Sequence, residues 1–206
     1  LRSLSDLTFT ASTSKKLLQC VADRLASQAN EIKDMQDRQK SRDLDTLSYI
    51  HKDTHKLTMQ ILENANLFER YSAADQHLIN GIFKEIRARH ATAIERVVDV
   101  VSTFPNLHNA SERFLQRRLG IQLMCDHHTE LYKKQQAGGG GVVSRDVCVT
   151  DVVQDAIAEA QHVVDAHLQI FPQVHVTGNA TLTIIRPYLH QSLLELLKNS
   201  MAAVVQ

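Results

Sequence analysis

Cysteine is scarce. Cys20, Cys125 and Cys148 are the three in 206 residues, an odd number with no CxxC pair. That usage argues against a disulfide framework and a cysteine-based zinc site, and it fits a reducing compartment. Net charge is lacking as well, because 23 Lys plus Arg balance 23 Asp plus Glu. Without an overall positive field to neutralise phosphates, a nucleic-acid role is disfavoured. No apolar run approaches the roughly 18 residues that a membrane-spanning helix needs, so the sequence reads as soluble or at most peripheral. The 11 histidines form no HExxH or similar ligand spacing, and the run of glycines is not followed by the Lys-Ser/Thr of a phosphate loop. The chain begins at Leu1 and not Met. Its Ser/Thr-rich, Arg-bearing opening, Leu1 to Lys16, reads either as the remnant of a processed organelle import signal or simply as a point inside a longer chain.

What is present is mostly helical periodicity. The 43% hydrophobic content is ordinary for a chain with a buried core, and the length allows one large domain or two small ones. Leu17, Leu18, Val21, Ala22, Leu25, Ala29 and Ile32 recur at helical spacing and predict a first amphipathic helix. Leu47, Ile50, Leu57, Ile61, Leu62 and Phe68 predict a second, over residues 45–69. Ser72 with Asp75 has the pattern of an N-terminal cap. Behind it Ile79, Ile82, Phe83, Ile86, Ile94, Val97, Val98 and Val101 predict one long third helix closing before Pro105. Asn109 with Glu112 resembles a capping box that opens a fourth helix through Phe114, Leu119, Ile121 and Met124 to about Gln136. Four long helices with short connections read as an antiparallel bundle over residues 1–137.

Gly138 to Gly141 break that pattern and mark a linker, and the texture changes beyond it. Val147 to Val149 is a short β-like run, Thr150 a suitable N-cap, and Val152 to Leu168 is again helical in period. Residues 173–177 and 181–185 have the β-branched content of a strand pair, with Gly178-Asn179 as the turn between them. Pro187 opens a last helix whose buried stripe is expected at Leu189, Leu193, Leu197, Met201 and Val204. Residues 142–206 therefore read as an α/β domain, of which two or three strands and two helices make only part.

On that last helix Glu195 and Asn199 stand one turn apart, so both polar ends share a face. A carboxylate beside an amide oxygen suits a hydrated magnesium ion held by the amide and an attacking hydroxyl oriented by the acid. The same spacing occurs on countless solvent-facing helices, so spacing alone does not single it out. His128 falls on the helical stripe of Ile121 and Cys125, and His90 on that of Ile86; both read first as packed core histidines. His127 reads as exposed. The adjacent His127 and His128 point about 100° apart on a helix, which rules out joint ligation of one ion.

The segment Leu193-Leu194-Glu195-Leu196-Leu197-Lys198-Asn199-Ser200-Met201 resembles the N-box of the ATPase superfamily that contains gyrase, histidine kinases and MutL. Its ELLKNSM core is similar to that of the mitochondrial pyruvate and branched-chain 2-oxo acid dehydrogenase kinases. Three further blocks occur in the same order: Arg87-Ala88-Arg89-His90, Arg118-Leu119-Gly120-Ile121-Gln122 through His128, and Val149-Thr150-Asp151-Val152-Val153. The match runs from about Gln76 onward, while the first 70 residues agree only in being helical. The resemblance implies a regulatory four-helix bundle followed by a histidine-kinase-like α/β ATP-binding domain, incomplete in this chain. It implies a mitochondrial-matrix enzyme that transfers phosphate from Mg-ATP to serine on the dehydrogenase E1 subunit, docks on the E2 lipoyl domain and, at full length, works as a homodimer. Carried over by position, Glu195 is the general base, Asn199 the magnesium ligand, Lys198 a phosphate contact, and His128 a bundle histidine with an interface or regulatory role.

Departures from the family pattern point another way. Gln191 stands four residues before Glu195, where many of these kinases have His, and Ala202 follows the N-box Met in place of Arg. The DxGxG adenine box and the glycine-rich lid are not found in these 206 residues, so this chain alone is expected to bind ATP poorly. The competing expectation is a kinase-derived, non-catalytic structural subunit of a mitochondrial assembly. A bacterial-type histidine kinase module is disfavoured, because His127-His128-Thr129-Glu130 lacks a phosphoacceptor His followed directly by an acid.

Overall fold

A computed structural model describes residues 9–134, 141–168 and 173–205. Their structure is predominantly helical with one small antiparallel sheet, an α+β class. The chain divides into two compact units, one ending at Gly141 and the other beginning at Val142. Gly138 to Gly140 of the expected linker lie outside the described residues.

The first unit holds α1 (Ala11–Arg38), α2 (Arg42–Glu63), α3 (Ala65–Arg70), α4 (Ala73–Arg89), α5 (Ala93–Thr103), a 3-10 turn (Pro105–Leu107) and α6 (His108–Lys134). Helix α1 packs on α2 and α6, α4 on α6, and α5 on α2. The predicted stripe of α1 is the buried one: Leu18, Val21, Leu25 and Ile32 are fully enclosed. One apolar cluster joins Ile32 and Met35 of α1, Leu44 and Leu47 of α2, Val97 and Val100 of α5, and Phe114 of α6. Residues Ala11 to Lys16, expected as part of a possible import-signal remnant, form the first turns of α1, and Thr13 and Ser14 are buried there. Those positions belong to the packed fold.

Two of the four expected helices are broken. The second ends at Asn64, whose backbone (φ −80°, ψ 80°) leaves the helical region, and α3 restarts and stops at Tyr71 in a left-handed conformation (φ 41°). The third breaks at His90, which caps α4 while its ring is buried. The three-residue interruption shifts the phase of the stripe. Ala93, Val97 and Val100 face inward, whereas Ile94 and Val98, expected in the core, are 43% and 50% exposed. The capping box at Ser72 forms as predicted: Asp75 N–H donates to Ser72 Oγ (3.3 Å) and Ser72 N–H to Asp75 Oδ2 (3.0 Å). The one expected at Asn109 does not, because the 3-10 turn runs straight into α6 at His108 and places Asn109 inside its first turn. Across α4 and α6, Arg87 pairs with Asp126 at 2.7 Å.

The second unit contains β1 (Ser144–Cys148), α7 (Val149–Leu168), β2 (Thr181–Ile184) and α8 (Arg186–Val205). The strands run antiparallel, with Val147 opposite Leu182 and Cys148 opposite Thr181. An irregularity between Ser144 and Val147 coincides with Asp146 at φ 52°. This corrects the expected hairpin. Residues 173–180 carry no regular secondary structure, and β2 takes β1 as its partner. Gly178 (φ 92°) does supply a glycine-only bend. That bend docks on the start of α7 through Val149 N–H to Ala180 O (2.9 Å) and Thr150 Oγ1 to Gly178 O (3.2 Å). Thr150 thus serves as a tether and not as the expected N-cap. Helix α7 packs on α8 through Ala160, Leu194 and Met201, with Ile157, Val174 and Leu197 at the margin. Val204, expected in the buried stripe, is 73% exposed.

Candidate functional site

Helix α8 owes its place to one apolar seam and two polar clasps. Leu194 and Met201 are buried against α7, Arg186 pairs with Asp155 at 2.6 Å, and His190 Nε2 lies 3.5 Å from Glu159. With Leu194 inward, the helical period turns Glu195, Leu196 and Asn199 outward, and all three are exposed. Glu195 and Asn199 therefore do share a face. The side chain of Glu195 is 50% exposed, and its Oε1 accepts from Lys198 Nζ at 2.8 Å and from Gln191 Nε2 at 3.0 Å. Lys198, proposed from the sequence as a phosphate contact, is thus turned back onto Glu195. The position four residues before Glu195 is the one that touches it, so the residue standing there adjusts the carboxylate directly. The Asn199 side chain makes no hydrogen bond among the described residues.

His128 sits in the first unit and is fully buried. Its Nε2 lies 3.0 Å from Ser14 Oγ, which in turn is 2.7 Å from Tyr71 Oη, and its ring stacks on Phe83 with centroids 3.9 Å apart. Phe9 meets the ring edge-on at 5.5 Å. Burial, with the neighbouring His127 adding to it, lowers the His128 pKa to about 3, so the ring is neutral. This is a packed histidine that ties α1, the α3–α4 junction and α6 together. His127 contradicts the expectation of exposure. It is completely buried, and a Cβ at Gly141 would lie 2.1 Å from its Nδ1. Only glycine fits against that ring.

A second buried polar centre was not singled out by the sequence pattern, although His51 follows Leu47 by one helical turn on the stripe of α2. His51 Nδ1 lies 2.8 Å from Leu47 O and its Nε2 lies 3.2 Å from Gln28 Oε1, while Gln28 Nε2 donates to Phe114 O at 3.0 Å. Both contacts of the imidazole face acceptors, so a neutral ring satisfies only the shorter one. Burial and the charge of Arg118 nevertheless hold its pKa at about 4 against the Leu47 hydrogen bond. His90 packs edge-on against His51 at 4.2 Å, neither of its nitrogens has a partner among the described residues, and burial lowers its pKa to about 3. The structural reading of His90 holds.

Elsewhere the chemistry is quiet. The three cysteines are free, and burial pushes the Cys125 thiol up to about 12, where it is inert. Among the described residues no group of three His, Cys, Asp or Glu side chains is placed to hold a metal, and no helix is long and apolar enough to cross a membrane. No family model matches the chain. No curated protein matches it either.

Proposed function

We propose that this chain supplies the regulatory four-helix bundle and the N-box half of the nucleotide-binding domain of a protein serine kinase of the mitochondrial 2-oxo acid dehydrogenase kinase type. The observation that carries the reading is the outer face of α8, where Glu195 and Asn199 lie one turn apart within the four ordered sequence blocks. A side-chain amide with no partner among the described residues and a half-exposed carboxylate suit magnesium, which keeps most of its water and is held by one or two protein oxygens together with substrate phosphates. In this reading Asn199 holds the ion, which neutralises phosphate charge. Glu195 accepts the proton of the substrate serine, and Lys198 exchanges its contact with Glu195 for a phosphate oxygen. His128 has a structural part, transmitting docking at the bundle through Ser14 and Tyr71. The E2 lipoyl domain, the E1 subunit, dimer formation and the mitochondrial matrix come with the same proposal.

The test is phosphate incorporation from Mg-ATP into dehydrogenase E1 by the natural full-length protein. Glu195→Gln should reduce turnover by about 10²- to 10⁴-fold with nucleotide affinity retained. Equal incorporation by the Glu195→Ala/Asn199→Ala double variant would refute the assignment. One observation favours the second reading, a non-catalytic structural subunit: Gln191 and Lys198 both engage Glu195 Oε1, which holds the carboxylate as a salt-bridged surface group. A natural polypeptide of 23.2 kDa, equal to this chain, would support that reading, and a heavier one carrying DxGxG would support the kinase.

A further inference from the structure

Helices α1 and α6 cross-pair in antiparallel register, and on one side their seam opens into a cleft of about 600 Å³ lined by Asp23, Arg24, Ser27, Arg113, Gln116 and Arg117. The volume is in the range of small-molecule sites. Three guanidinium groups meet there, and they are not equally engaged. Arg113 Nε and Arg117 Nε both bind the largely buried Glu31, at 2.9 and 3.3 Å, and Arg113 Nη2 adds Asp34 at 3.4 Å. Glu31 thereby fixes Arg117 by its inner edge and leaves its two terminal nitrogens without a partner among the described residues. Arg24 has no ion pair or hydrogen bond among them. It lies across α6 at Gly120, where a Cβ would sit 2.7 Å from Arg24 Nε. The missing side chain at Gly120 is what lets this guanidinium lie in the same cleft as Arg117.

With Glu31 and Asp34 counted, the surroundings are close to neutral, so no broad field attracts ligands. What remains is directional: N–H donors from two helices that face one cleft and have no partner among the described residues. A carboxylate is satisfied by a single guanidinium fork, whereas the tetrahedral oxygens of a phosphoryl group accept from two forks arriving from different sides. Asp23, whose carboxylate accepts from Gln19 at 3.0 Å, also lines the cleft.

We propose that the α1–α6 cleft binds the phosphoryl group of a soluble small molecule through Arg24 and the terminal nitrogens of Arg117. Pyrophosphate is the probe, titrated into the full chain at low ionic strength with calorimetric or NMR detection. Saturable binding at about 1 mM or tighter is expected. Arg24→Ala should weaken it about tenfold, as removal of a charge-assisted hydrogen-bonding group does. Gly120→Ala should weaken it as well, by displacing Arg24, and because Ala favours the helix its thermal midpoint should not fall. That variant separates loss of the site from loss of the fold. No saturation by about 10 mM, or equal affinity in the wild type and both variants, would overturn the proposal. So would binding to phosphatidic acid vesicles or to an acidic peptide with no response to pyrophosphate.

Discussion

Lowering the pH from 7 to 5 should strongly destabilise the helical unit, and the magnitude follows from three buried histidines. In the unfolded chain an imidazole titrates near 6.5, whereas burial holds His51 at about 4 and His90 and His128 at about 3 in the folded protein. Between those values the unfolded state binds a proton that the folded state refuses, so stability is complete above the unfolded pKa and declines as pH falls toward the folded ones. Near pH 5.5 each of the three contributes a slope close to 1.4 kcal/mol per pH unit, roughly 4 together. From pH 7 to 5 the loss is about 2 kcal/mol per histidine, on the order of 6 in all, against a typical total stability of about 5–15 kcal/mol. His127, shifted in the same direction by burial, adds to the slope. The assay is denaturant unfolding followed by far-UV circular dichroism across this range at constant ionic strength. His90→Phe, which removes a ring with no hydrogen-bond partner among the described residues, should lower the slope by about 1.4 kcal/mol per pH unit. A wild-type slope corresponding to one proton or fewer would refute the reasoning, because it would mean that these rings are hydrated or already charged in the folded state.

Three further outcomes test the packing. Phe114→Ala empties a fully buried position in the apolar cluster and should cost about 3–5 kcal/mol in denaturant unfolding. Ser72→Ala removes the acceptor that starts α4 and should cost about 1 kcal/mol, read as a lower thermal midpoint with unchanged helix content. Gly141→Ala forces a methyl group into the His127 ring and should destabilise by about 1–3 kcal/mol; an unchanged midpoint would show that the ring moves aside freely.

The legible parts of the fold were those in which local physics acts alone. The α1 stripe from Leu17 to Ile32 and the Ser72–Asp75 box depend on spacing and on hydrogen bonds three residues apart, and both appear as expected. The break at His90 has no glycine or proline to announce it. It comes with a ring that leaves the α4 stripe to pack on His51, and it puts Ile94 and Val98 on the surface. The β-branched run at residues 173–177 has strand propensity, yet propensity does not choose a partner. Residues 181–184 pair with β1 because α7 brings the two segments together, with Thr150 holding the Gly178 bend in place. The candidate site divides in the same way. That Glu195 and Asn199 share a face was readable from the helical period, whereas the engagement of Glu195 by Gln191 and Lys198 depends on which rotamers the exposed face of α8 leaves open.

Helix existence, the outward direction of Glu195 and Asn199, and the lack of any disulfide framework were set by residue identity and spacing, because each arises within a turn or two of chain. Tertiary structure alone decided the charge states of His51, His90 and His128, the strand pairing, and the convergence of Arg24 and Arg117 beside Gly120. Those outcomes require groups distant in sequence to exclude water from one another or to compete for one partner, and no local pattern records which groups will meet.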